Sequence, residues 1–147
     1  MGGSRAVLMV GLFLLASASA PLASSHTQQT LTVILVEDGV VSGNITDPAF
    51  VQGNALWFRM EDNTENTTMK VRLDIDQDGV FNASNDFEST DLVHECELNE
   101  TGALVDEDCA VSATYAFSMN ATVGTYAFWV HRTSNETETV WNHTVAV

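Results

Sequence analysis

Alternation of apolar and polar side chains with a period of two dominates this chain, and nothing after residue 24 carries a sustained helical stripe. Met69, Val71, Leu73 and Ile75 alternate with Lys70, Arg72 and Asp74, as a strand with one buried and one wet face requires. Val111, Ala113, Tyr115, Phe117 and Met119 do the same against Ser112, Thr114 and Ser118. Further strands are predicted at Thr30 to Val36, Val40 to Thr46, Ala55 to Glu61, Thr125 to His131 and Val140 to Val147. The separators are turn formers: Asp38-Gly39, Asp47-Pro48, Gln52-Gly53-Asn54, Asp62 to Asn66, Asn120 to Gly124 and Thr133 to Asn135. About seven short strands with frequent turns predict an all-β fold, an antiparallel sandwich. Asp86 to Asp108 reads as a long acidic excursion.

A chain of 147 residues, 45% of them hydrophobic, has room for one domain and can bury its core. Its first residues read as a signal peptide. Arg5 gives the positive region, Val7 to Ala16 the apolar region, and Ala16 to Ala23 the small-residue cleavage stretch. The expected division is a leader over residues 1–23, cut after Ala18 or Ala23, and a sandwich over residues 24–147. The apolar run is shorter than the roughly 20 residues a membrane span needs, so no transmembrane anchor is expected in the mature chain. Losing Arg5 leaves four Lys and Arg against 20 Asp and Glu, a net charge of −16. Such a surface repels phosphate, which argues against a nucleic-acid partner.

Gly124-Thr125-Tyr126-Ala127-Phe128-Trp129-Val130 and Trp141 to Val147 resemble the last two strands of immunoglobulin-like extracellular modules. With Val41-Ser42-Gly43-Asn44-Ile45, they are also similar to the sandwich domains appended to secreted prokaryotic peptidases. The likeness covers about a third of the chain. It implies an immunoglobulin-like sandwich in a secreted prokaryotic protein, expected to be archaeal. A cupredoxin shares the Gly-x-Tyr-x-Phe strand, but Trp129, Val130 and His131 stand where its copper-binding Cys would follow, which excludes blue copper. In place of a copper role, Tyr126 is expected to bury its ring and bond its hydroxyl to backbone.

The sharpest motif is Asp74-x-Asp76-x-Asp78-Gly79-Val80-Phe81-Asn82-x-x-Asn85-Asp86. Calcium takes about six to eight oxygens, and alternate loop positions supply them while a glycine at the sixth position permits the sharp turn. The expected ligands are Asp74, Asp76, Asp78, the Val80 carbonyl, Asn82 directly or through water, and Asp86 closing the site. An EF-hand has a bidentate Glu where this chain has Asn85, and no helical pattern flanks the loop. The motif therefore resembles the calcium loops between strands of extracellular proteins. A structural Ca²⁺ with a dissociation constant of about 10⁻⁴ to 10⁻³ M is expected.

Cys96 and Cys109 are the only cysteines, and in an exported chain they are expected to pair. A zinc site built on His94 and both cysteines lacks a fourth ligand. Asn44, Asn66, Asn82, Asn99, Asn120, Asn135 and Asn142 each begin an Asn-x-Ser/Thr sequon, seven of ten asparagines. The 27 Ser and Thr of the chain would place about two by chance, so a glycan-coated surface is expected. Asn82 is ranked last among them because a glycan there would crowd the calcium loop.

No catalytic motif organises His26, His94, His131 and His143, and no enzyme activity is expected. The leading expectation is a secreted or cell-surface module that binds an unidentified protein or glycan through loops or exposed aromatics such as Trp57 and Trp141. An alternative is a filament subunit. Arg5-Ala6-Val7-Leu8 resembles an archaeal prepilin cleavage site, and such a subunit would retain Val7 onward as an assembling helix. The run ends near Ala16, shorter than filament packing wants. A secreted enzyme or inhibitor is the third reading.

Overall fold

The computed structural model describes residues 27–147; the leader, the prepilin-like segment and His26 lie outside them. Among the described residues there is no helix, hence none long and apolar enough to cross a membrane. Eight strands form two four-stranded sheets, so the all-β sandwich read from the alternation is the fold. The first sheet holds β1 (Thr30–Val36), β2 (Gly39–Val40), β3 (Ala55–Met60) and β6 (Ser112–Ala116) in the order β2-β1-β3-β6. The second holds β4 (Thr67–Leu73), β5 (Phe87–Glu88), β7 (Thr125–Ser134) and β8 (Thr137–Ala146) in the order β5-β4-β7-β8.

Alternation decides which side chains meet between the sheets. Val33 and Leu35, with Leu56, Phe58 and Met60, face Met69, Val71, Leu73, Phe128, Val130 and Val145, all fully or almost fully buried. Phe58 and Phe128 meet across the interface at 5.7 Å between ring centroids. At one end a chain of rings runs from Phe50 through Phe117 to Tyr126, with Tyr115 and Phe87 alongside. The Tyr126 hydroxyl donates to the Thr122 carbonyl four residues earlier. That is the corner by which such sandwiches fix the entry to a central strand, and it meets the expectation for Tyr126.

Three details differ from the sequence expectations. All the strand pairings are antiparallel except β1 with β3, which run parallel. The strand expected at Val40 to Thr46 shrinks to β2, because the chain leaves the first sheet there and runs back along the sandwich. Ile45 bridges Val145 of the other sheet on the way, and β3 then starts beside the start of β1. The strand expected through Met119 ends at Ala116, and Met119 is exposed. Its sulfur lies 2.2 Å from where a Cβ on Gly53 would stand, at φ +82°, so that turn admits only glycine without rearrangement.

The sheets are also tied by charge. Asp62, just after β3, accepts a hydrogen bond from Arg132 Nε of β7 at 2.7 Å. Arg132 Nη2 reaches Thr64 Oγ1 at 3.2 Å, and Asp62 Oδ1 accepts from the Thr64 amide and hydroxyl. The Asp62 side chain is 1% exposed and that of Arg132 13%.

Candidate metal centre

Strand β4 stops where its alternation meets the aspartates. The Asp74 amide still donates to the Ala127 carbonyl of β7 at 2.9 Å, so the residue is anchored at the sheet edge and its side chain is buried. The chain then turns sharply, with Gln77 at φ 59° and Gly79 at φ 82°. Short polar side chains hold the turn: Asp76 Oδ1 accepts from the Asp78 amide and Asp78 Oδ1 from the Val80 amide. The Gly79 amide donates to Asp74 Oδ2 at 2.8 Å, which draws the loop back over the strand end.

This folding brings one carboxylate oxygen each of Asp74, Asp76 and Asp78 within 4.8 Å of one another. Asp74 Oδ1 is buried and has no hydrogen-bond partner. A buried carboxylate oxygen without a donor costs free energy that hydration would otherwise return. Burial pushes the Asp74 carboxyl above its ordinary value, the Gly79 amide opposes this, and the neighbouring Asp76 and Asp86 push it further up. Either a proton or a cation relieves that arrangement. An all-oxygen donor set suits a hard divalent ion such as Ca²⁺. Asp76 and Asp78 are exposed, so one side of the cluster is open.

Two of the other expected ligands, Asp86 and Asn82, turn their side-chain oxygens to other partners. Asp86 stands outside the trio, and both its oxygens accept backbone amides, Oδ1 from Ile75 at 2.8 Å and Oδ2 from Asn82 at 2.7 Å. It clasps the two ends of the loop. Asn82 turns its Oδ1 to the Ser84 amide and hydroxyl. Val80 is 65% exposed. Asn85, where an EF-hand has its Glu, approaches Asp76 Oδ2 with its amide nitrogen at 3.4 Å. The sequence reading missed Arg72, whose guanidinium lies 4.5 Å over the Phe81 ring and pairs with Glu88 at 2.6 Å. Together they pin the middle of the loop to the outer face of β4. Only the Arg72 and Phe81 spacing on strand and loop could have signalled it.

Beyond the loop, β5 leads into the acidic excursion. Leu92 plugs the core there and bridges Met69 and Ala110. Cys96 and Cys109 are joined at 2.10 Å, which also removes both thiolates from any zinc site. Asn44, Asn66, Asn82, Asn99, Asn120, Asn135 and Asn142 are all exposed. They sit in loops, turns and on edge strand β8, never on β1, β3 or β6. The aromatics expected to be exposed are not. Trp141 is half-buried against the core with its indole over Gly39, and Trp57 is half-buried with Arg59 at 5.7 Å from its ring. No family model and no curated protein matches the chain.

Proposed function

We propose that the chain is a secreted or cell-surface binding module without catalytic activity of its own, a sandwich stapled by Ca²⁺ at Asp74, Asp76 and Asp78. The observation that carries the reading is Asp74 Oδ1, buried without a partner beside two further carboxylates. A cation there answers a need the protein's own donors leave unmet. The disulfide supports an oxidising destination, where such bonds persist. Exposure of every sequon supports N-glycosylation at Asn44, Asn66, Asn99, Asn120, Asn135 and Asn142. The partner this module binds is a protein or glycan, met through its loops, where the sequence departs furthest from regular strands.

The test is thermal melting with Ca²⁺ and with chelator. A ligand that binds only the folded state raises the midpoint by mass action. A midpoint that ignores millimolar Ca²⁺, or an Asp76→Ala variant that responds like the parent, removes the reading.

A further inference from the structure

Of the seven sequons, Asn142-His143-Thr144 alone lies inside a strand, so only there does sheet register fix what the asparagine faces. Asn142 stands directly opposite Trp129 of β7, and Trp129 in turn opposite Arg72 of β4. Phe128 and Val130 on either side of Trp129 are buried in the core, so Trp129 and its two partners lie on the outer face of the second sheet. The Ile45 amide donates to the Thr144 carbonyl and the Ala146 amide to the Ile45 carbonyl. With the β7–β8 register unbroken, the even-numbered residues of β8 therefore turn their backbone groups away from β7. Asn142 and Trp129 are thus a non-hydrogen-bonded pair, the closer of the two kinds of cross-strand neighbour.

Resting on the N-glycosylation reading above, we propose that the glycan carried by Asn142 folds back onto this face and stacks its first sugar ring on the Trp129 indole. Across β4 the row is closed, since Arg72 is held by Glu88 and covered by Phe81. Across β8 it is open, since β8 is an edge strand and Asn142 is exposed. A pyranose joined to Asn142 Nδ2 begins beside the indole, where the polarised C–H bonds of one sugar face meet the negative face of the rings. Val140, 46% exposed and two residues away on the same face of β8, extends the apolar floor. The tether supplies the sugar at high effective concentration, so a stack too weak to capture a free sugar is still populated. The other six sequons lie in loops and turns outside the named strands, where no cross-strand aromatic is set opposite the asparagine.

Hydroxyl-radical footprinting of the full chain from its native host reads the contact, with Trp57 and Trp141 as internal standards. In Asn142→Gln, Trp129 is expected to label severalfold faster than in the parent, while Trp57 and Trp141 keep their rates. The same variant is expected to melt about 2 to 6 °C lower, the shift that one aromatic stack gives a domain of this size. Where Trp129→Leu is already in place, adding Asn142→Gln should lower the midpoint no further. Asn120→Gln, which removes a glycan from a turn, should change neither reading. Trp129 labelling that ignores Asn142→Gln, with Asn142 shown by mass to be glycosylated, overturns the stack and leaves the glycosylation reading standing. So does an Asn142 found bare beside modified Asn44 or Asn99, or an equal midpoint loss with and without Trp129. If mass finds none of the sequons modified, the glycosylation reading itself falls and takes the stack with it.

Discussion

Replacing Arg132 with methionine leaves the Asp62 carboxylate buried, with only Thr64 to satisfy it. An exposed ion pair contributes about 0 to 1 kcal/mol, whereas breaking a buried one costs about 3 to 5 kcal/mol because a charge is stranded. Exposures of 1% for the Asp62 side chain and 13% for Arg132 put this pair in the second class. Arg132→Met should therefore lose about 3 kcal/mol or more in urea unfolding near neutral pH. The pH dependence gives a second handle. In the native protein burial raises the Asp62 carboxyl, but hydrogen bonds from Arg132 and Thr64 outweigh it and hold the group below its ordinary 3.8. The folded form thus binds the proton more weakly than the unfolded, and this contribution is present above 3.8 and lost as pH falls through the lower native value. In Arg132→Met only burial and Thr64 remain, the native value moves up, and protonation relieves the stranded charge. The gap between parent and variant should narrow steadily on acidification, and adding Asp62→Asn should recover part of the loss. A deficit below about 1 kcal/mol, or one that does not change with pH, refutes the reasoning.

Three further outcomes follow from the same geometry. Tyr126→Phe keeps the buried ring but loses the hydroxyl bond to Thr122, and urea unfolding should show a loss of about 1 kcal/mol. Replacing Cys96 and Cys109 with serine opens a loop whose ends are 13 residues apart and should cost about 3 kcal/mol by the chain-entropy estimate. Limited proteolysis of that variant should cut first between the two positions. Glycopeptide mapping of protein from its native source should find Asn44, Asn66, Asn99, Asn120, Asn135 and Asn142 modified and Asn82 bare, since the Asn82 amide and side chain are tied into the Asp74–Asp86 loop.

The strands that bury one face were legible because burial imposes the period of two. Met69, Val71 and Leu73 read correctly as the inner face of β4, and the strand at Thr125 to His131 and the buried ring of Tyr126 were legible too. Strand direction leaves no such mark. An alternating strand looks the same in either sense, so the parallel pairing of β1 and β3 is set by the path of residues 41–54 past Val145. Met119 satisfies the alternation and yet lies outside on the Gly53 turn, because an apolar side chain can pack locally on a loop. In the candidate centre, Asp74, Asp76 and Asp78 were legible from spacing alone. The clasp formed by Asp86 was not, since a carboxylate that accepts backbone amides and one that faces a cation share the same letter.

A calcium staple makes folding free energy a function of calcium activity, so the direct measurement is urea unfolding across a series of Ca²⁺ concentrations at constant ionic strength. Constant ionic strength removes the general screening that any salt gives a chain of charge −15. With one site and a dissociation constant of about 10⁻⁴ to 10⁻³ M, stability should be flat at micromolar Ca²⁺. Above the dissociation constant it should climb by about 1.4 kcal/mol per tenfold increase. Asp76→Ala should flatten that climb. A parent protein whose stability stays level through the millimolar range, matching sodium at the same ionic strength, would contradict a bound cation at Asp74, Asp76 and Asp78.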